Sequence, residues 1–190
     1  SGRWQHYYLY VILDVFSRYV VGWMLAEEES GDLAEQLIAE TCRKQGIERN
    51  QLTLHADRGA PMTSQTVAQL LEELGVVKSH SRPYTADDNP FSEAQFKTLK
   101  YRPDFPDRFL SIETARIFCQ SFFPWYNYEH RHTGINLLTP EMLHYGQAQQ
   151  ILQARGRVLL TAYETHPERF VKGPPSPGSV PEAVWINPPL

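Results

Sequence analysis

The sequence has little cysteine and no long apolar run. Its two cysteines, Cys42 and Cys119, lie far apart, and neither has a Cys or His neighbour at zinc-finger spacing. They do not form a disulfide framework, so a reducing cytoplasm is the expected compartment. The longest apolar run, residues 7–13, is far too short to span a bilayer. No positively charged stretch followed by an apolar core opens the chain, so no signal peptide is visible.

Basic residues are also slightly scarce. Lys and Arg total 18 against 22 Asp and Glu, which gives a formal net charge of -4 and a pI near 6.0. DNA phosphates are bound by Lys and Arg, so this balance argues mildly against tight DNA binding by the chain as a whole. It does not exclude a basic patch, because only the local charge distribution matters at a contact. The 190 residues are 42% hydrophobic and 21% charged, which is typical of a globular protein with a sizeable core.

Apolar periodicity predicts an α/β fold with a mixed sheet covered by helices on at least one face. The predicted strands are residues 7–16, 19–25, 51–56 and 76–80, of which the first two form an antiparallel hairpin. The predicted helices are residues 32–44 after Ser30, a segment capped by Thr63 or Ser64, residues 91–100, residues 111–129 with a kink or break at Pro124, and a segment that starts at Thr139. We expect three parts along the chain: a core over 1–147, a helical extension over 148–172 and a proline-rich extended tail over 173–190.

Two acidic residues stand at the ends of predicted elements. Asp57 follows a strand, where ligand sites of open α/β sheets gather. Glu93 lies in the first turn of a helix, and 35 residues separate it from Asp57. Taken alone, Asp57 is typical of a turn or cap, and Glu93 of an acid that complements the helix dipole.

The sequence around these acids resembles DDE-type transposases of bacterial insertion sequences, which are related to retroviral integrases. The matching stretches are LDVFSRYVVGW at 13–23, HADRG at 55–59, DNPFSEAQFKTLKYRP at 88–103, YNYEHRH at 126–132, LTPEML at 138–143 and HPERFVKG at 166–173. They cover essentially the whole chain in the order of that family. The resemblance implies an RNase H-like core with a mixed sheet flanked by helices.

The resemblance also implies a polynucleotidyl transferase that cuts and joins DNA strands during transposition or integration. In the family, two aspartates and one glutamate hold two Mg²⁺ or Mn²⁺ ions, and these ions prefer such oxygen ligands. Asp57 and Glu93 match two of the three acids and are therefore expected to be catalytic and metal-binding. Further expectations are DNA as partner, a homo-oligomer, a bacterial cytoplasm with nucleoid association, and neither a membrane nor an organic cofactor.

The third acid of the family has no match in the sequence. It lies on a strand before the hairpin, whereas the chain starts at Ser1 with a stretch that resembles the loop after that strand. Asp14 matches the aspartate of the family's LDxFSR turn instead. We therefore expect the first strand to be missing, its place to be filled by another segment or the sheet to be rearranged, and catalysis by this chain alone to be severely impaired. An RNase H-like nuclease and a non-catalytic DNA-binding or oligomerisation module stay as alternative functions.

Basic residues near the two acids are candidates for DNA contacts. Lys97 and Lys100 lie four and seven residues beyond Glu93 and share its helix face. They form either a solvated face or, as we favour, a phosphate-binding patch that Arg102 extends. Arg58 either pairs with an acid or contacts DNA.

Five other polar residues also have both a structural and a functional interpretation. Asn89 either holds the start of its helix or touches the site. His55 is interpreted as a half-buried structural histidine rather than a metal ligand, since the expected ions prefer oxygen. His130, Arg131 and His132 either support DNA or stabilise their own loop.

Overall fold

A computed structural model describes residues 5–57, 59–80 and 89–186 of the chain. Its contacts divide the described residues into two compact units. Unit 1 holds the described parts of Ser1–Asp14, Val20–Phe122 and Trp185–Leu190, and unit 2 holds Val15–Tyr19 and Phe123–Val184. The contacts thus group the chain differently from the division at 147 and 172, which stays a prediction from sequence.

The predicted hairpin is confirmed in unit 1. Strands β1 (Tyr8–Leu13) and β2 (Val20–Ala26) pair antiparallel, with Tyr8 opposite Ala26. The register shifts between Ile12 and Leu13, close to the turn. Both strands are rich in aromatic and β-branched side chains, which suit a pleated, half-buried surface.

The other two predicted strands are also present and form a parallel pair in unit 1. Strand β3 (Thr53–Ala56) pairs with β4 (Val77–His80), and both are slightly shorter than the sequence pattern predicts. Among the described residues, β1–β2 and β3–β4 are two separate sheets, so neither β1 nor β3 has a third strand beside it. Within the part of the chain that the structure describes, the hairpin does not pair directly with β3.

Helices α1 (Gly31–Lys44) and α2 (Gln65–Glu73) cover these strands. Each begins at a serine that caps it, because the Ser30 side chain accepts a hydrogen bond from Asp32 N–H and the Ser64 side chain accepts one from Val67 N–H. Their apolar faces meet in a core that side chains of β1 and β3 complete. The buried members of this core are Ala34, Ile38, Cys42, Val67, Leu71 and Val76.

Two further helices follow the strands. Helix α3 (Pro90–Lys100) begins with a proline at its first position, where the missing N–H costs nothing. Helix α4 (Ile112–Tyr128) continues through Pro124 without a break in its assignment. The part of α4 up to Phe122 belongs to unit 1, and the rest belongs to unit 2.

Unit 2 is built around helices α5 (Pro140–His144) and α6 (Ala148–Thr165). Thr139 caps α5 as predicted, accepting a hydrogen bond from Met142 N–H over 3.4 Å. The described residues after 170 contain no helix or strand, and Val180 packs against the core of this unit. The buried members of that core are Ile135, Leu138, Leu143 and Ala148. No helix among the described residues has the length and apolar character needed to cross a membrane.

Candidate active site

A cavity of about 770 Å³ in unit 1 is bordered by residues of β1 and β3, two strands that lie in separate sheets among the described residues. The bordering residues from these strands are Leu9, Tyr10, Val11 and Ile12 in β1, and His55 and Ala56 in β3.

Asp57 and Glu93 both border this cavity, and both are exposed. Asp57 follows the last residue of β3, so the direction of that strand carries it to the cavity. Glu93 lies in the first turn of α3, whose positive end favours a nearby carboxylate. The structure thus brings the two predicted site acids to one place.

Asn89 connects these two acids, and so touches the site. Its side-chain Nδ2–H donates to Oδ1 of Asp57 over 3.3 Å, while its main-chain oxygen accepts from the N–H of Glu93 over 3.1 Å. Its side chain makes no capping hydrogen bond to α3, although Asn89 occupies the cap position of that helix. Asn89 thus starts α3 through its main-chain oxygen and contacts Asp57 through its side chain.

The donor chemistry of these residues fits a hard divalent ion. The carboxylates of Asp57 and Glu93 and the side-chain carbonyl of Asn89 are oxygen donors of the kind that Mg²⁺ and Mn²⁺ prefer. Within the described part of the chain, no group of three or more His, Cys, Asp or Glu side chains is placed to hold a metal ion. An ion held by Asp57 and Glu93 would therefore need additional ligands.

Two of the four predicted DNA-binding residues border the same cavity. Lys97 and Lys100 are exposed there on α3, beyond Glu93. Tyr101 also borders the cavity with 79% of its surface exposed, and our sequence reasoning missed it. Its position directly after Lys100 was the available signal. Arg58, the third predicted residue, lies outside the described residues.

Arg102, the fourth predicted DNA-binding residue, contacts other residues of unit 1. Its side chain is only 18% exposed, and its Nε lies 2.8 Å from Oδ1 of Asp104. The guanidinium carbon also lies 5.9 Å from the centre of the Phe122 ring, a cation–π distance. A DNA phosphate would have to compete with these contacts.

His55 is half-buried, as the sequence interpretation has it. Its Nδ1 lies 2.7 Å from Oγ of Ser79, its partner residue across the β3–β4 pair. On the same pair, Nδ1 of His80 lies 3.3 Å from the main-chain oxygen of Ala56. Both histidines therefore tie the two strands together next to Asp57.

The histidines of unit 2 have contacts inside their own loop. The His132 ring lies 4.5 Å from that of His130 and 5.0 Å from that of Tyr126, while Arg131 donates to the main-chain oxygen of Leu137. Burial lowers the pKa of His132 to about 4 and lowers that of His130 as well. These contacts support the loop-stabilising interpretation over DNA support.

Comparison with known protein families and sequences gives matches over most of the chain. Two family descriptions, both named integrase core domain, match residues 1–86 and 74–140. The transposase for insertion sequence element IS904 of Lactococcus lactis is 31% identical over 138 residues, covering 70% of this chain and 53% of that protein. Transposase InsF for insertion sequence IS3A of Escherichia coli is 28% identical over 135 residues, covering 70% and 46%. The chain thus spans about half the length of these relatives.

Comparison with solved structures confirms the RNase H-like α/β fold. The catalytic core domain of BIV integrase superposes with a TM-score of 0.53 at 19% identity, covering 78% of this chain and 92% of that chain. A chain of the simian T-cell lymphotropic virus intasome, solved with PP2A regulatory subunit B56 gamma, gives 0.54 at 18% identity, covering 73% and 48%.

Proposed function

Because the chain belongs to the DDE-type insertion-sequence transposases with an integrase-like core, we propose that it acts in DNA transposition as a polynucleotidyl transferase. In this reaction a hydroxyl group displaces one oxygen of a DNA phosphodiester, first to free an end of the element and then to join that end to target DNA. The single observation that carries the assignment to a site is that Asp57 and Glu93 border one cavity in unit 1.

Asp57 and Glu93 are the residues that would hold Mg²⁺ or Mn²⁺. Bound there, the ion would supply positive charge that activates the attacking hydroxyl and stabilises the leaving oxygen. The two carboxylates contribute the negative charge that attracts the cation, and Asn89 adds a neutral donor at one of them.

We propose that the third carboxylate arrives on an extended segment that occupies the cavity between the edges of β1 and β3. Two features support this: both edges are unpaired among the described residues, and consecutive residues of β1 border the cavity. Unpaired main-chain groups of two edges can be satisfied together by one inserted strand. A segment inserted in this way would end close to Asp57 and Glu93. The complete active site would therefore require more than the residues of this chain.

Lys97 and Lys100 form the core of the proposed DNA contact. Both are exposed beside Glu93, so a phosphate that they bind would lie next to the two acids. This pair would supply local positive charge for a phosphate in a protein of net charge -4. Arg58 belongs to this proposal through its place beside Asp57 in the sequence, and Arg102 through its place after α3. We further propose that the protein assembles as a homo-oligomer and acts at the nucleoid in the bacterial cytoplasm.

Strand transfer tests the proposal. The longer natural protein, supplied with Mg²⁺ or Mn²⁺ and with labelled DNA that carries the ends of its element, should yield both cut and joined products. Asp57→Asn and Glu93→Gln should each abolish both products, while Asp32→Asn, which changes an exposed acid in the first turn of α1, should leave them unchanged. Cut products without joined products would support the nuclease instead. Full joining by either site variant would exclude the proposed role of that acid.

A further inference from the structure

Asn89 occupies a helix cap without capping the helix. Ser30, Ser64 and Thr139 each stand at the same position of their helices, and each accepts a hydrogen bond from a main-chain N–H of the first turn. Asparagine is among the residues that perform this task best. At α3 the side chain of Asn89 makes no such bond, so it serves another purpose.

The side chain of Asn89 is directed to Asp57 instead. Its Nδ2–H donates to Oδ1 of that carboxylate over 3.3 Å, and its main-chain oxygen accepts from Glu93 N–H over 3.1 Å. The bond to Glu93 N–H is the ordinary first main-chain bond of a helix, which Ser30 and Ser64 also accept in α1 and α2, so the side-chain bond to Asp57 is the feature particular to Asn89. The neighbouring Pro90 fixes the backbone at the start of α3, which limits the movement of Asn89 relative to Glu93.

The chemical consequence concerns the orientation of the Asp57 carboxylate. Asp57 is exposed after the end of β3. A carboxylate has about four lone-pair sites, so a donor on Oδ1 restricts its orientation without using all of its acceptor capacity. The donor is a neutral amide, so it orients the acid without competing for it as a charged Lys or Arg would.

We infer that Asn89 is a positioning residue that holds the Asp57 carboxylate in place relative to Glu93 for binding a divalent cation. This inference rests on the proposed metal site of Asp57 and Glu93. It assigns to Asn89 a role in cation affinity that is separate from the stability of α3.

Binding of Mn²⁺ alone to the 190-residue chain, followed by the electron paramagnetic resonance signal of the free ion, tests this inference. Asn89→Ala should raise the dissociation constant of Mn²⁺ about 10-fold, the size of effect typical of groups that orient metal ligands. Asn89→Gln, which keeps the amide donor, should restore part of the affinity. Ser64→Ala is the matched control, because it removes a real helix cap in the same unit: it should lower Tm and leave the dissociation constant unchanged.

Three other results would overturn the inference. An Asn89→Ala variant that binds Mn²⁺ as tightly as the unmodified chain overturns the inference, provided that Asp57→Asn does lose binding. Equal losses of affinity in Asn89→Ala and Ser64→Ala, in step with their Tm values, would show a merely structural role and also overturn it. If Asp57→Asn binds Mn²⁺ as tightly as the unmodified chain, the proposed metal site itself fails and the inference fails with it.

Discussion

Asp57 and Glu93 border the same cavity although 35 residues separate them in the sequence. One follows the end of β3 and the other lies in the first turn of α3, so two different elements must be fixed to bring the acids together. This relationship makes the cavity a candidate for the centre of a DNA strand-transfer reaction. It also separates two questions that can be measured independently: where DNA is bound and where the cation is bound.

DNA binding is expected to depend on the lysines of α3. Neutralising both in a Lys97→Gln, Lys100→Gln variant should weaken binding to a labelled duplex and reduce the slope of log K against log salt by about 2, since each phosphate contact contributes about 0.9. Fluorescence anisotropy at several salt concentrations measures this. Lys44→Gln is the control, because Lys44 is an exposed lysine whose partner is Glu40 on α1. An unchanged slope in the double variant, or the same reduction in the control, would place the DNA contact elsewhere.

The edge strands are expected to gain protection when the cavity is filled. In a longer protein that extends this chain before Ser1 and supplies the proposed segment, amide hydrogens of β1 and β3 should exchange at least about 10-fold more slowly than in the 190-residue chain, because an inserted strand would pair with both edges. Helix α6 in unit 2 provides the internal control. Unchanged exchange in both strands would argue against a strand in the cavity. The 190-residue chain is expected to show severely impaired strand transfer in the same comparison.

Arg155 is expected to stabilise unit 2. Its guanidinium donates to the main-chain oxygens of Asn136 and Leu137 over 2.7 and 2.9 Å, and both of these residues have positive φ angles, of 58° and 56°. Arg155→Met keeps the apolar stem and removes these bonds, so the free energy of unfolding should fall by roughly 1.5–3 kcal/mol. Urea unfolding measures it. Arg157→Met, at an exposed position of the same helix, should change it by less than about 0.5 kcal/mol, and equal effects would contradict the assigned role.

Stability is expected to fall in mild acid because of His132. Burial lowers its pKa in the folded protein to about 4, whereas the unfolded chain binds a proton near pH 6.5. Above pH 6.5, His132 is neutral in both the folded and the unfolded state, so its contribution to the free energy of unfolding is at its maximum. Between pH 6.5 and 4, a proton binds His132 in the unfolded state but not in the folded state, so the free energy of unfolding falls as the pH falls. Urea unfolding from pH 7.5 to 4 should show a shallower decline in His132→Gln than in the unmodified chain. His6→Gln, at an exposed position, should not change the slope, and parallel slopes in all three proteins would refute the assignment.

Local chemistry explains which parts of the fold were predictable from sequence. Ser30, Ser64 and Thr139 mark helix starts because a hydroxyl group can accept the first free N–H groups of a helix, whatever surrounds it. The strands were predictable because their side-chain pattern records burial on a sheet. Asp57 and Glu93 were found through the stretches around them, which specify both the element and the end at which each acid stands.

Long-range packing explains what was not predictable. Asparagine is a common helix cap, yet the Asn89 side chain bonds to Asp57 and not to α3, so this bond could not be predicted from local sequence. Arg102 follows two exposed lysines, yet Asp104 and Phe122 hold it, and only the folded unit shows this. The division into two units likewise depends on contacts between distant segments, because Val15–Tyr19 groups with residues more than a hundred positions away.

The central claim is that Asp57 and Glu93 together hold a divalent cation. Titration of the 190-residue chain with Mn²⁺, with free ion measured by electron paramagnetic resonance, tests it most directly. The claim predicts saturable binding that Asp57→Asn and Glu93→Gln each weaken at least about 10-fold, whereas Asp32→Asn, an exposed acid outside the cavity lining, leaves it unchanged. Binding that survives in both site variants, or that all three variants weaken equally, would contradict the claim.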